Sequence, residues 1–197
     1  MTIQNRINLE EAGAITTGIY QKGDPTGDTL YIQAKHFDEH GKLRKDAVLT
    51  PEIQMTDRLS KHLLQDKDLL IIAKGTHNRA CLYRSQMGPA VASSTFFVLR
   101  LKRSDLLPEF LQWYLNSPKM QKTLSNLSKG THILSLSKKS LSKLKIEIPP
   151  LERQKAVLKL QSFWETERNT LLKLLEQKEY FYRTLQSNFA SSKPAQK

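Results

Sequence analysis

Cysteine is nearly absent from this chain of 197 residues, Cys81 being its one copy. A single thiol cannot close an internal disulfide or build a cysteine-rich zinc site, so stapled secreted scaffolds and zinc fingers are excluded. Long apolar runs are missing as well. The longest, Leu69-Leu70-Ile71-Ile72-Ala73, falls far short of the roughly 20 residues that a membrane-spanning helix requires. Met1 to Glu10 alternates polar and apolar residues and lacks the continuous apolar stretch of a signal peptide. A cytoplasmic protein without membrane association is therefore expected. His36, His40, His62, His77 and His132 show no zinc-type pairing, and the stretch holding His36 and His40 has little helix character. Neither a metal nor any other cofactor is expected.

Acidic residues are scarce in one region in particular. The chain carries 31 Lys plus Arg against 19 Asp plus Glu, a formal net charge of +12. Most of the excess lies in residues 1–150, with 22 basic and 14 acidic side chains, whereas 151–190 has 7 and 5. From Phe110 to Ile146 there are seven lysines, Lys119, Lys122, Lys129, Lys138, Lys139, Lys143 and Lys145, and no acidic residue. A solvated lysine-rich face is the plain interpretation. An electrostatic footprint for a phosphate backbone is the sharper one, favoured by the regional excess and by Arg100, Lys102 and Arg103 just upstream.

What is present divides at a double proline. Before it, short β-type runs alternate with turns: Ile15 to Tyr20, Leu30 to Ile32, Leu69 to Ala73, Ala80 to Tyr83, and Phe96 to Leu101. Ala80 to Tyr83 is expected to pair with Leu69 to Ala73, and the set implies a mixed sheet. Pro108 and then Ser117-Pro118 open two short helices, the second ending at Gly130. Leu144, Ile146 and Ile148 alternate like a strand running into Pro149-Pro150. From Leu151 to about Phe189 there is neither glycine nor proline. Alternating steps of three and four from Val157 to Asn188 define a seam of ten positions, seven of them apolar (Val157, Leu160, Trp164, Leu171, Leu174, Phe181 and Leu185) and three polar (Glu167, Lys178 and Asn188), which predicts a long coiled-coil-type helix. A second row, Leu158, Leu172, Leu175, Tyr182 and Phe189, widens the apolar stripe. Such a helix is expected to pack on something outside its own domain, most simply a second copy of itself; the alternative is a helix lying across its own sheet. The fold class expected is α+β: a mixed-sheet domain with short helices over 1–148, the long helix over 149–190, and a disordered tail over 191–197.

Several of these stretches resemble, in order and spacing, the specificity (S) subunits of type I restriction-modification enzymes. Leu141-x-x-Leu144-x-Ile146-x-Ile148-Pro149-Pro150-Leu151-x-x-Gln154 looks like the segment closing each target recognition domain and leading into a conserved helix. Leu64-Gln65-Asp66-Lys67-Asp68-Leu69-Leu70-Ile71 followed by Lys74-Gly75-Thr76 looks like the family's strand and glycine loop, and Leu107-Pro108-Glu109-Phe110-Leu111 with Tyr114 and Ser117 like its helix. Arg153 departs from the commonest form, which is acidic there. Family members usually carry two recognition domains, whereas one is visible here, so the resemblance implies a half-size form that dimerises through the long helix. It also implies double-stranded DNA as ligand, methyltransferase (M) subunits and a restriction (R) subunit as partners, and no catalysis by this chain. The residues agree: the Pro-Pro pair is flanked by Ile148 and Leu151 and not by the groups of an adenine-methylating loop, and Asp66 and Asp68 beside Lys67 read as solvated turn residues.

Duplex reading needs cations for phosphates and short polar side chains or arginine for base edges. Lys74, Thr76, His77, Asn78 and Arg79 form the first candidate loop, Gln33, Lys35 and His36 the second, and Lys129, Thr131 and His132 the third. Lys138, Lys139 and Lys143 are assigned to phosphates. Three alternatives compete: a generic basic nucleic-acid-binding protein that oligomerises through its helix, a helical scaffold, and a nuclease or methyltransferase whose motifs are missing.

Overall fold

The computed structural model describes residues 5–75, 77–130 and 134–191. Its elements in chain order are β1 (Asn5–Asn8), α1 (Leu9–Ala12), β2 (Gly13–Thr17), β3 (Thr29–Ile32), β4 (Pro51–Ile53), α2 (Asp57–Ser60), β5 (Leu69–Ile72), β6 (Ala80–Leu82), β7 (Ala90–Ala92), β8 (Phe96–Leu101), α3 (Pro108–Leu115), α4 (Pro118–Leu127), α5 (Lys138–Ser142), β9 (Lys145–Ile148) and α6 (Leu151–Ser191). The strands form three sheets, β1-β9, β2-β8-β5-β6 and β4-β3-β7. All pairs are antiparallel except β3 with β7. The α+β class and the mixed pairing expected from the sequence are thus present, divided among three small sheets.

The anticipated hairpin forms as β5 and β6, with Leu70 opposite Cys81 and, across the other neighbour, Val98. These face one cluster with Leu30, Ile32, Phe37, Tyr83 and Phe96. Tyr31, on the opposite face of β3, packs with Ile53 and Val91. Both faces of β3 are therefore covered, which explains why its residues read as a continuous apolar run. Burial also pushes the Cys81 thiol up, leaving it an inert core side chain. No helix among the described residues is long and apolar enough to cross a membrane.

Two sequence expectations change. Asp68 is 1% exposed rather than solvated: Arg100 donates to its two oxygens at 2.9 and 2.7 Å, and the Gln65 amide donates at 2.8 Å. A carboxylate taken out of water has to be paired in this way. The second is α4, which stops at Leu127 with Ser128 as its C-cap, short of Gly130. Its start is as expected, the Ser117 hydroxyl accepting from the Met120 amide.

Gln154 is buried at the end of the first domain. Its Oε1 accepts from the Leu107 amide at 2.9 Å, while Nε2 donates to Asp105 O at 2.8 Å and Pro149 O at 2.7 Å. Leu107 is the N-cap position of α3, whose own side chain cannot cap. The glutamine therefore satisfies a helix-end donor that would otherwise be orphaned.

Residues up to Gln154 make one compact unit and those from Lys155 a second. The second is helical through Ser191. With 41 residues α6 spans about 60 Å. Of the seam residues, Val157 is half-buried, while Leu160 (69%), Trp164 (55%), Leu171 (58%), Leu174 (47%), Phe181 (64%) and Leu185 (43%) are exposed. The tail expected from residue 191 lies, from 192 onward, outside the described residues.

Candidate nucleic-acid interface

The strand β5 ends at Ile72, and the backbone beyond it does not simply turn back. Leu136 N donates to Ala73 O at 2.8 Å and Gly75 N to Leu134 O at 3.0 Å, so a segment far along the chain pairs with the strand end. Ser135 bridges both Lys74 and Lys129 in antiparallel fashion. Lys74 of the first candidate loop and Lys129 of the third are therefore joined through Ser135 by backbone hydrogen bonds into one edge. Gly75, with φ +131°, makes the turn at this junction in a conformation that a side chain would strain.

Along that edge Lys74, His77 and Lys129 are exposed. Thr76, Thr131 and His132 lie outside the described residues. Arg79 is half-buried: its Nη1 donates to Asn116 O at 3.3 Å, and its buried Nε has no hydrogen-bond partner among the described residues. Asn116 is itself fixed, its Oδ1 accepting from Ala80 N at 2.8 Å and its Nδ2 donating to Ala80 O at 2.8 Å.

Asn78 requires a correction. It is 3% exposed, its Nδ2 donates to Ile72 O at 2.9 Å, and its Oδ1 accepts from the Ser128 hydroxyl at 3.1 Å. A carboxamide so engaged has no free edge for a base. His36 is corrected for the same reason. It is 8% exposed, and its Nδ1 accepts from the Gln33 amide at 3.2 Å. Burial, reinforced by the neighbouring Lys35 charge and opposed by Glu52, holds its pKa below the usual histidine value. Gln33 is half-buried and contacts Glu52 Oε1 at 3.4 Å, leaving Lys35 as the exposed member of the second loop.

The lysine-rich segment keeps its charge in solvent. Lys119, Lys122, Lys129, Lys138, Lys139, Lys143 and Lys145 are all exposed. Lys138 and Lys139 open α5, where the Ser137 hydroxyl accepts from the Ser140 amide at 3.0 Å. Two arginines grouped with this patch in the sequence are otherwise committed. Arg100 is bound to Asp68, and Arg103 donates to Asp105 at 2.8 and 2.7 Å. Lys102, between them, is exposed and lies outside these pairs.

Two cavities among the described residues are small. One lined by Thr16, Lys61, His62 and Arg100 holds about 80 Å³, and one by Tyr31, Lys35, His36 and Glu52 about 70 Å³. Each has room for a few waters and not for an enclosed nucleobase. Among the described residues no three His, Cys, Asp or Glu side chains converge on a metal site.

Three comparisons fit this architecture. The family model for the type I restriction modification DNA specificity domain matches residues 15–178. The type I restriction enzyme MjaVIII specificity subunit of Methanocaldococcus jannaschii is 24% identical over 132 residues, 67% of this chain and 29% of that protein. The HsdS subunit of Thermoanaerobacter tengcongensis superposes with a TM-score of 0.65 at 21% identity, covering 98% of this chain and 50% of that one. The S subunit of M. genitalium gives 0.58 at 16% identity, covering 91% and 43%. The chain spans half or less of the length of these relatives. With the matched domain running through the strand-end loops, the lysine segment and into α6, the chain belongs to the type I restriction-modification DNA specificity family, whose part is sequence recognition and not catalysis.

Proposed function

We propose that the chain reads one half-site of double-stranded DNA with its first unit and self-associates through α6, so that two copies recognise a bipartite target. The observation that carries this reading is the backbone pairing of Ser135 with both Lys74 and Lys129, together with seven exposed lysines in a stretch of sequence that has no acidic residue. Lys74, His77, Arg79 and Lys129 are the base-reading candidates, with Thr76, Thr131 and His132 alongside them in sequence. Lys35 belongs to a flanking contact, and Lys138, Lys139 and Lys143 hold phosphates. Arginine suits the acceptor pair of guanine, and lysine serves either a base acceptor or a phosphate.

The exposed apolar row from Leu160 to Leu185 supports a homodimer, because side chains of this size at coiled-coil spacing gain from mutual burial. Identical heads imply an inverted-repeat target whose spacer is set by the helix pair. Methylating (M) subunits, and a nucleolytic (R) subunit with them, supply the chemistry in the cytoplasm, where their DNA is. The test is to co-purify the full chain with a candidate methylating subunit and map modified bases across the genome. A single inverted-repeat motif with a fixed spacer is expected; modification without a bipartite motif overturns the reading. Shortening α6 by two heptads should alter the spacer and leave the half-site bases unchanged.

A further inference from the structure

We propose that Asn78 is a positioning residue, which with Ser128 locks the two loops of the reading edge into one register so that they address neighbouring bases together. The proposal rests on the DNA-reading function above and assigns to a buried, hydrogen-bonded residue the control of selectivity.

The bonding around Asn78 forms a closed circuit. Its carboxamide orientation is fixed by Ile72, whose carbonyl can only accept, so Nδ2 lies on that side at 2.9 Å. Oδ1 then faces the Ser128 hydroxyl, which lies 3.1 Å from it and equally 3.1 Å from Leu124 O. The Asn78 carbonyl accepts from Gln121 Nε2 at 3.0 Å, and the same amide group reaches Leu115 O at 2.9 Å. Asn78 thereby ties the end of β5 to α4 and to the last turn of α3.

Ser128 is the C-cap of α4 and directly precedes Lys129, which pairs with Ser135, which pairs with Lys74, two residues beyond Ile72. The ring therefore runs from Ile72 through Lys74, Ser135, Lys129 and Ser128 to Asn78 and back. Neither loop can slide against the other without breaking a member of it. Discrimination between bases depends on donors held to within about half an ångström, whereas a phosphate contact by a flexible lysine does not. Loosening the ring should thus relax base preference while leaving the sequence-independent attraction in place.

The experiment compares Asn78→Ala, Ser128→Ala and Ser128→Thr in the full chain, with any methylating partner that co-purifies. Selection from a random duplex pool gives the base preference, titration against an unrelated duplex over a salt series gives the non-specific affinity, and thermal unfolding reports the fold. For Ser128→Ala we expect a roughly tenfold loss of preference for the half-site. Its non-specific affinity and salt slope should stay within about twofold of the parent. Ser128→Thr, which keeps the hydroxyl, should restore the preference. Asn78→Ala should act in the same direction with a larger loss. The positioning role is overturned if Ser128→Ala keeps the parental preference, or if specific and non-specific affinity fall together with the unfolding midpoint. A parent chain that selects no sequence at all overturns the DNA-reading function itself, so the two failures are distinct.

Discussion

The first unit and the long helix use the same apolar alphabet to opposite ends. In the first, Leu9, Ile32, Leu70, Phe96, Leu99 and Leu124 have no exposed surface. In α6, Leu160, Phe163, Leu171, Phe181 and Phe189 each leave more than half of theirs in solvent. A head that buries its apolar groups against its own chain has a stability independent of concentration. A rod that does not depends on what it meets. Local contacts on α6, such as Arg168 over Trp164 at 5.9 Å and Gln161 to Glu165 at 2.7 Å, support the helix weakly and do not cover the stripe.

The comparison can be broken most directly in the core. Phe96→Ala, which empties a fully buried ring site packed edge-on against Phe37, should cost about 3–5 kcal/mol, read as a lower denaturation midpoint for the head. In the rod, joint Leu171→Asp and Leu174→Asp should weaken self-association by at least about a hundredfold in sedimentation equilibrium. The unfolding midpoint of the head should not move with it. If it does, the two regions are not energetically separate.

Smaller effects sharpen the division within the head. Replacing Lys138, Lys139 and Lys143 together by alanine should lower DNA affinity about tenfold for every sequence and reduce the salt slope by about 0.9 for each phosphate no longer neutralised. Base preference measured by competition should persist. The smallest effect concerns His36. Because burial depresses its pKa in the fold, the unfolded chain binds this proton more readily, and stability falls as pH drops below the ordinary value of 6.5. Protonating Nδ1 also removes the acceptor of the Gln33 amide. Below about pH 6.5 the unfolding midpoint should decline, and His36→Gln should flatten that part of the profile.

Much of the fold could be read residue by residue. Pro108 and Ser117-Pro118 mark helix starts because a fixed φ and a side-chain acceptor act within one turn. The apolar runs of β3, β5 and β8 declare themselves because both of their faces, or nearly so, are covered. The strands not read from the sequence, β1, β4 and β7, are three or four residues long and are held by partners distant along the chain, β9 for β1 and β3 for β4 and β7. The candidate interface was only partly readable. Its loops could be named from their bonding side chains, but the sequence treated them as three separate sites and counted Asn78 and His36 among the readers. Asn, His and Gln have the same composition signal whether they face a base or a backbone carbonyl.

The chain by itself determined the sites of its turns, the run of lysines without acids, and a helix uninterrupted over about forty residues, since each follows from interactions within a few positions. Only the tertiary structure decided that β1 pairs with β9, that Ser135 joins Lys74 to Lys129, and that Asn78 serves Ser128 rather than a ligand. Those pairings join residues far apart along the chain, and which of many similar polar groups ends beside which is fixed by the packing of the whole core.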